Sequence, residues 1–96
     1  MEVQEIISAA IDTFGETNQT VVAIEEMSEL QKELCKLMRY GRNRINTEHI
    51  AEEIADVQIM LWELVEMLDI KEMVQQYRNF KLQRLQSRVE KERETL

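Results

Sequence analysis

Proline is absent from this chain of 96 residues, and glycine occurs only at Gly15 and Gly41. In a helix interior these residue types cost about 3 and about 1 kcal/mol relative to alanine, so their scarcity leaves long segments free to wind. Glu, Leu, Met, Gln, Lys and Arg, all good helix formers, fill those segments. The expected fold class is all-α. With 44% apolar residues and no Pro/Gly/Ser-rich linker, residues 1–96 read as a single helical domain.

Four helices follow from periodicity and punctuation. The first covers 3–14, carries Ile6, Ile7, Ala10, Ile11 and Phe14 on one stripe, and stops at Gly15. After a short polar link at 16–19, a second runs from 19 or 20 to 40, with Thr17 or Asn18 as N-cap and Gly41 as its end. Its stripe is Ile24, Met27, Leu30, Leu34, Leu37 and Met38. A third is expected from about 48 to 68, capped by Asn46 or Thr47. A fourth is expected from about 70 to 93, opened by Asp69 with Glu72 in a capping-box-like pair, and fraying over about 90–96.

Between Ile54 and Leu68 only Asp56, Gln58, Glu63 and Glu66 are polar, so the third helix is apolar well beyond one face. Such a helix is buried on more than one side, and a second subunit packed on it is the economical explanation. A domain this small buries only about 60–65% of its unfolded surface, which also favours self-association. The expected architecture is a four-helix bundle forming a homodimer or a dimer-of-dimers tetramer.

The formal net charge is −7 and is polarised: residues 1–70 hold 5 basic and 15 acidic side chains, net −10, whereas residues 71–96 hold 7 basic and 4 acidic, net +3. An acidic body argues against binding a nucleic acid polymer, which needs clustered Lys and Arg to displace phosphate counterions. It can still hold a polyphosphate when metal ions stand between the two. The single cysteine, Cys35, excludes an internal disulfide and is expected to be a buried or half-buried thiol. MEVQEII at the N-terminus is acidic where a secretion signal is basic, and no apolar run approaches about 18 residues, so a cytoplasmic location without a membrane is expected.

EEMSE at 25–29 and EEIAD at 52–56 repeat one phrase 27 residues apart, two acids, two spacers and a third acid, each followed at once by an apolar residue. Acids three apart on a helix are neighbours, about 5–6 Å between Cβ atoms. In a chain with 19 acids such pairs arise readily, and most line a hydrated face. Glu26/Glu29 and Glu53/Asp56 differ in bordering the apolar stripe. Helices joined by a short loop pack antiparallel, and counting back from the turn at about 1.5 Å per residue puts Glu29 and Asp56 near one level, with Glu26 and Glu53 about a turn to either side. Four partly desolvated carboxylates at one seam repel, and a proton, a lysine or divalent cations can relieve them. An all-oxygen set suits the hard ions Mg²⁺ or Mn²⁺.

EExxE followed after 23 residues by ExxD, on helices of a small all-α protein, resembles the MazG-like nucleotide pyrophosphohydrolases, the all-α NTP pyrophosphatase group. The resemblance covers residues 19–68 and, more loosely, 77–88. It implies that Glu26, Glu29, Glu53 and Asp56 ligate Mg²⁺. It also implies cleavage of nucleoside triphosphates to a monophosphate and pyrophosphate by dimers or tetramers of helical subunits. Metal ions then neutralise the triphosphate and activate a water, with Glu25, Glu33 or Glu52 available to orient or deprotonate it.

Lys36 lies two turns beyond Glu29 on nearly the same face, within reach of a phosphate. Arg78, Lys81, Arg84 and Arg88 form a cationic stripe on the fourth helix, of which Lys81 and Arg84 are the candidates for stabilising a leaving pyrophosphate. Phe14, Gln19, Trp62 and Tyr77 are candidates for the wall that selects the base, with Trp62 read first as core or subunit interface. The lone His49 is expected to face solvent. No GxxxxGK, GxGxxG, HExxH or CxxC occurs, which argues against a P-loop, a dinucleotide fold and a zinc site. The competing reading is a noncatalytic helical dimer, an interaction or regulatory module whose acidic seam is merely hydrated.

Overall fold

A computed structural model describes residues 1–95 as four α-helices, α1 (Val3–Phe14), α2 (Glu16–Tyr40), α3 (Arg44–Leu68) and α4 (Lys71–Glu94), with no strand among the described residues. The all-α class and the number of helices are those expected. None of the described helices is long and apolar enough to cross a membrane.

The joints differ from expectation. Gly15 alone separates α1 from α2: it adopts φ 88°, donates its N–H to the Ile11 carbonyl and accepts from the Gln19 N–H. One residue with positive φ thus ends one helix and starts the next. Residues 16–19 are therefore helical, and Thr17 and Asn18 are not caps. Asn18 Nδ2 instead donates back to the Phe14 carbonyl at 2.9 Å.

The α2–α3 connection is likewise short, from Gly41 (φ 79°) to Asn43. Asn43 Oδ1 accepts from the Asn46 N–H at 2.9 Å, so Asn43 is the N-cap and the helix begins at Arg44, ahead of the expected start near 48. Asn46, an expected cap, is buried inside the first turn and donates its Nδ2 to the Gly41 carbonyl. Thr47 Oγ1 donates to the Asn43 carbonyl.

At the third joint Asp69 takes the left-handed conformation, φ 53° and ψ 50°, and ends α3 instead of opening α4. Its N–H donates to Glu66 and that of Ile70 to Val65, the paired bonds of a Schellman ending. No side chain caps α4. That helix is regular through Glu94, past the point where fraying was expected, and Leu96 lies outside the described residues.

Three helices pack together, and the fourth does not join them. α2 and α3 form the main antiparallel seam, α1 lies against both, and α4 touches α3 alone. The expected four-helix bundle is thus a three-helix body with a projecting arm. The radius of gyration, 17.1 Å, registers this; a compact chain of this length has about 12.5 Å. Few side chains are sealed from water: Ile7, Ala23 and Met60 are the buried apolar residues. The apolar breadth of α3 is left uncovered, with Ile59, Leu61, Trp62 and Leu68 exposed. Cys35 is exposed, not the buried or half-buried thiol expected.

Candidate functional site

The α2–α3 seam carries polar side chains where a bundle normally has apolar ones. Gln19, Glu26 and Glu33 recur every seven residues on α2, and His49, Asp56 and Glu63 do so on α3. Seven residues make about two turns, so each set occupies one line along its helix. The antiparallel register matches them as three rungs: Gln19 with Glu63, Glu26 with Asp56, and Glu33 with His49.

The Gln19–Glu63 rung is satisfied from within the chain, and the Glu33–His49 rung only in part. Turned to face Glu63, the Gln19 amide nitrogen donates to both carboxylate oxygens, at 2.6 and 3.2 Å. Glu63 is only 3% exposed, and burial holds its carboxyl above the usual carboxylate range. At the other end Glu33, also buried, accepts from Lys36 Nζ at 3.2 Å, with His49 Nδ1 3.6 Å from its second oxygen.

The middle rung lacks such relief. Glu26, Glu53 and Asp56 each bring an oxygen within 4.8 Å of the others, and all three are half-buried. No Lys, Arg or His among the described residues pairs with them. Glu53 Oε2, like Glu33 Oε2 on the neighbouring rung, is sealed from water without a hydrogen-bond partner. Desolvation first, then the charges of Asp56 and Glu53, raises Glu26 above the ordinary range; desolvation, then Asp56, Glu29 and Glu52, raises Glu53. The site has excess negative charge and one orphaned acceptor.

Of the four acids expected to converge, Glu26, Glu53 and Asp56 do so, and Glu29 does not. Glu29 is exposed at the rim, where its charge still acts on Glu53. The expected levels are corrected by about one turn: Glu26, not Glu29, meets Asp56. The physical reason is the early start of α3 at Arg44, which tightens the turn and shifts the two helices relative to a count from residue 48.

The other candidates lie apart from this cluster. Lys36 is engaged by Glu33 on the next rung. Lys81 and Arg84 sit on the arm, which contacts neither α1 nor α2, so within one chain they do not reach the acids. Tyr77 is on the same arm and Phe14 is exposed at the end of α1. Trp62 is partly exposed and donates Nε1 to Gln4 Oε1 at 3.2 Å. Gln19 is buried two turns from Glu26, against Glu63. Glu25 and Glu52 are exposed beside the cluster, and His49 is exposed as expected while facing Glu33. The rung of Gln19 and Glu63 was missed as a unit; the seven-residue recurrence of polar residues within apolar stripes is the signal that exposes it.

No family model matches this chain, and no curated protein or solved structure matches it.

Proposed function

We propose that the chain is a Mg²⁺-dependent nucleoside triphosphate pyrophosphohydrolase of the MazG-like type, with Mn²⁺ as an alternative ion. The supporting observation is the convergence of Glu26, Glu53 and Asp56, with Glu53 Oε2 buried and unpartnered. The donor set is oxygen only, which fits a hard divalent ion, and Glu26, Glu53 and Asp56 would hold it with Glu29 at the rim. When bound, such an ion neutralises phosphate charge and acidifies a coordinated water.

The chain's own groups have separable tasks. The three converging carboxylates fix the position of the positive charge. Glu33 is buried and engaged by Lys36, which leaves the exposed Glu25 and Glu52 as the acids placed to accept the proton of the attacking water. The water oxygen joins phosphorus as the anhydride bond between the α and β phosphates breaks, giving a nucleoside monophosphate and pyrophosphate.

A panel of ribo- and deoxyribonucleoside triphosphates with Mg²⁺, resolved chromatographically, tests this. Monophosphate plus pyrophosphate is the expected pair, and release of orthophosphate with a nucleoside diphosphate refutes the assigned bond. Absence of turnover with every nucleotide favours the second reading, a noncatalytic association module, which draws support from the uncovered apolar surfaces of α3 and α4.

A further inference from the structure

The rung nearest the α2–α3 joint holds a second unsatisfied acceptor, in chemistry unlike the first. Glu33 is only 8% exposed, and Lys36 Nζ engages its Oε1 alone. Oε2 is sealed from water, lacks a hydrogen-bond partner and faces His49 Nδ1 at 3.6 Å. The two residues stand on different helices, α2 and α3, so the pair forms no local motif of the HExxH or CxxC kind; the antiparallel register alone brings it together. A hydrogen bond from the imidazole would span about 2.7–3.2 Å, less than the separation found. Two ligand atoms on one tetrahedral Zn²⁺ lie roughly 3.3–3.5 Å apart, given bonds of about 2.0–2.2 Å. On an octahedral Mg²⁺ the corresponding edge is roughly 2.9 Å. The observed 3.6 Å is nearest the tetrahedral edge.

The donor types agree with the spacing. Glu26, Glu53 and Asp56 offer oxygen only, whereas an imidazole nitrogen with a carboxylate oxygen suits zinc and its neighbours in the transition series. We propose that Glu33 Oε2 and His49 Nδ1 hold a Zn²⁺ ion, with water completing its coordination on the exposed side of the imidazole. Lys36 is tolerated beside the ion because Glu29 and Glu53 lie four residues along the same helix faces, and residues 1–70 have net charge −10. The ion would clamp the end of α2 to the beginning of α3 beside their joint. Rungs seven residues apart are separated by roughly 10 Å, whereas metal pairs that share a phosphoryl substrate stand about 3.5–4 Å apart. The zinc site is therefore distinct from the cation proposed for the middle rung and does not rest on it.

His49 is the single histidine of the sequence, so its ring nitrogens give unambiguous NMR signals. The full chain carrying Cys35→Ser, which removes the exposed thiol as a competing ligand, is titrated with Zn²⁺ in a large excess of Mg²⁺. At about pH 7.5 an ordinary imidazole is neutral and free to bind. The Nδ1 resonance should shift and saturate at one Zn²⁺ per chain while Nε2 keeps its proton. Glu33→Gln should weaken the affinity at least about tenfold. Glu26→Gln, on the middle rung, should change it less than about threefold, as for groups roughly 10 Å apart. Helix content by circular dichroism should be the same in all these chains, and the titration itself needs no seam variant to fold. Zinc on Nε2, no shift in excess Zn²⁺, the same shift from Mg²⁺ alone, or equal effects of the Glu33 and Glu26 variants would each overturn the proposal. Nucleotide hydrolysis enters none of these readings, so the zinc site and the proposed reaction fail separately.

Discussion

The α2–α3 seam and the α4 arm violate the ordinary distribution of side chains in opposite ways. The seam buries carboxylates: Glu33 and Glu63 are sealed, and Glu26, Glu53 and Asp56 are half-sealed. The arm exposes what a folded chain usually hides, including Tyr77, Phe80 and Leu82. Burying a charge costs free energy unless something compensates it, and leaving a large apolar side chain in water forgoes about 1.5–3 kcal/mol. The seam therefore holds uncompensated negative charge, and the arm holds uncovered apolar surface. The outer rungs show how the seam is stabilised when a partner is supplied, fully by Gln19 at Glu63 and for one oxygen of Glu33 by Lys36.

The largest effect should separate seam from arm by chemistry. Glu53→Gln is expected to lower nucleotide hydrolysis at least 100-fold, whereas Glu90→Gln on the arm should leave it within twofold, measured as pyrophosphate release. Binding of Mg²⁺ to the native state alone adds about 2.7 kcal/mol at a hundred times its dissociation constant. For a domain of this size that is a rise in Tm of roughly 10 °C or more. The Glu53→Gln chain should lose most of that rise. A melting curve indifferent to Mg²⁺ in the unsubstituted chain would remove the cation from the account of the seam.

The next effect is structural. Gln19→Leu deprives buried Glu63 of its donor, and an unsatisfied buried group costs about 1–3 kcal/mol. Replacing both Gln19 and Glu63 by Leu should recover most of that loss, because the rung then becomes an ordinary apolar layer. Thermal or denaturant unfolding of the single and double variants measures the difference, and a double variant no better than Gln19→Leu alone would show that the pair is not an isolated unit.

A smaller effect is expected with pH. Glu26, Glu53 and Glu63 are all held above the ordinary 4.5, so the folded chain retains protons that the unfolded chain has released. Their contribution is destabilising at pH 7 and fades as pH falls through the raised values toward 4.5. The Tm of the metal-free protein should therefore climb as pH falls from 7 toward 4.5. Gln at position 53 should flatten that slope, and saturating Mg²⁺ should abolish or reverse it. Smallest of all, Asp69→Gly, at the joint between seam and arm, should stabilise the chain by about 0.5 kcal/mol, since glycine adopts φ 53° without a Cβ penalty but gains freedom when unfolded. Its reading is the unfolding midpoint in urea.

Three of the four candidate acids were legible from one local rule, that acids beside an apolar stripe border the core. Glu29 obeys the same rule and lies outside the cluster, because a shift of one turn between α2 and α3 decides which acids meet. Lys81 and Arg84 were assigned by their spacing on α4, but spacing within a helix carries no information on where the helix lies.

What the amino-acid sequence determined alone was the set of helices and the ends of α1 and α2 at Gly15 and Gly41, because backbone preferences act between near neighbours. The accumulation of acid before residue 70 and base after it was equally plain. Tertiary structure decided the register that sets Glu26 against Asp56, the burial of Gln19, Glu33 and Glu63, and the departure of α4 from the body. These depend on the exact length and direction of two short joints, Gly41 to Asn43 and Asp69 to Ile70. A change of one or two residues there displaces every side chain beyond it by much of a turn.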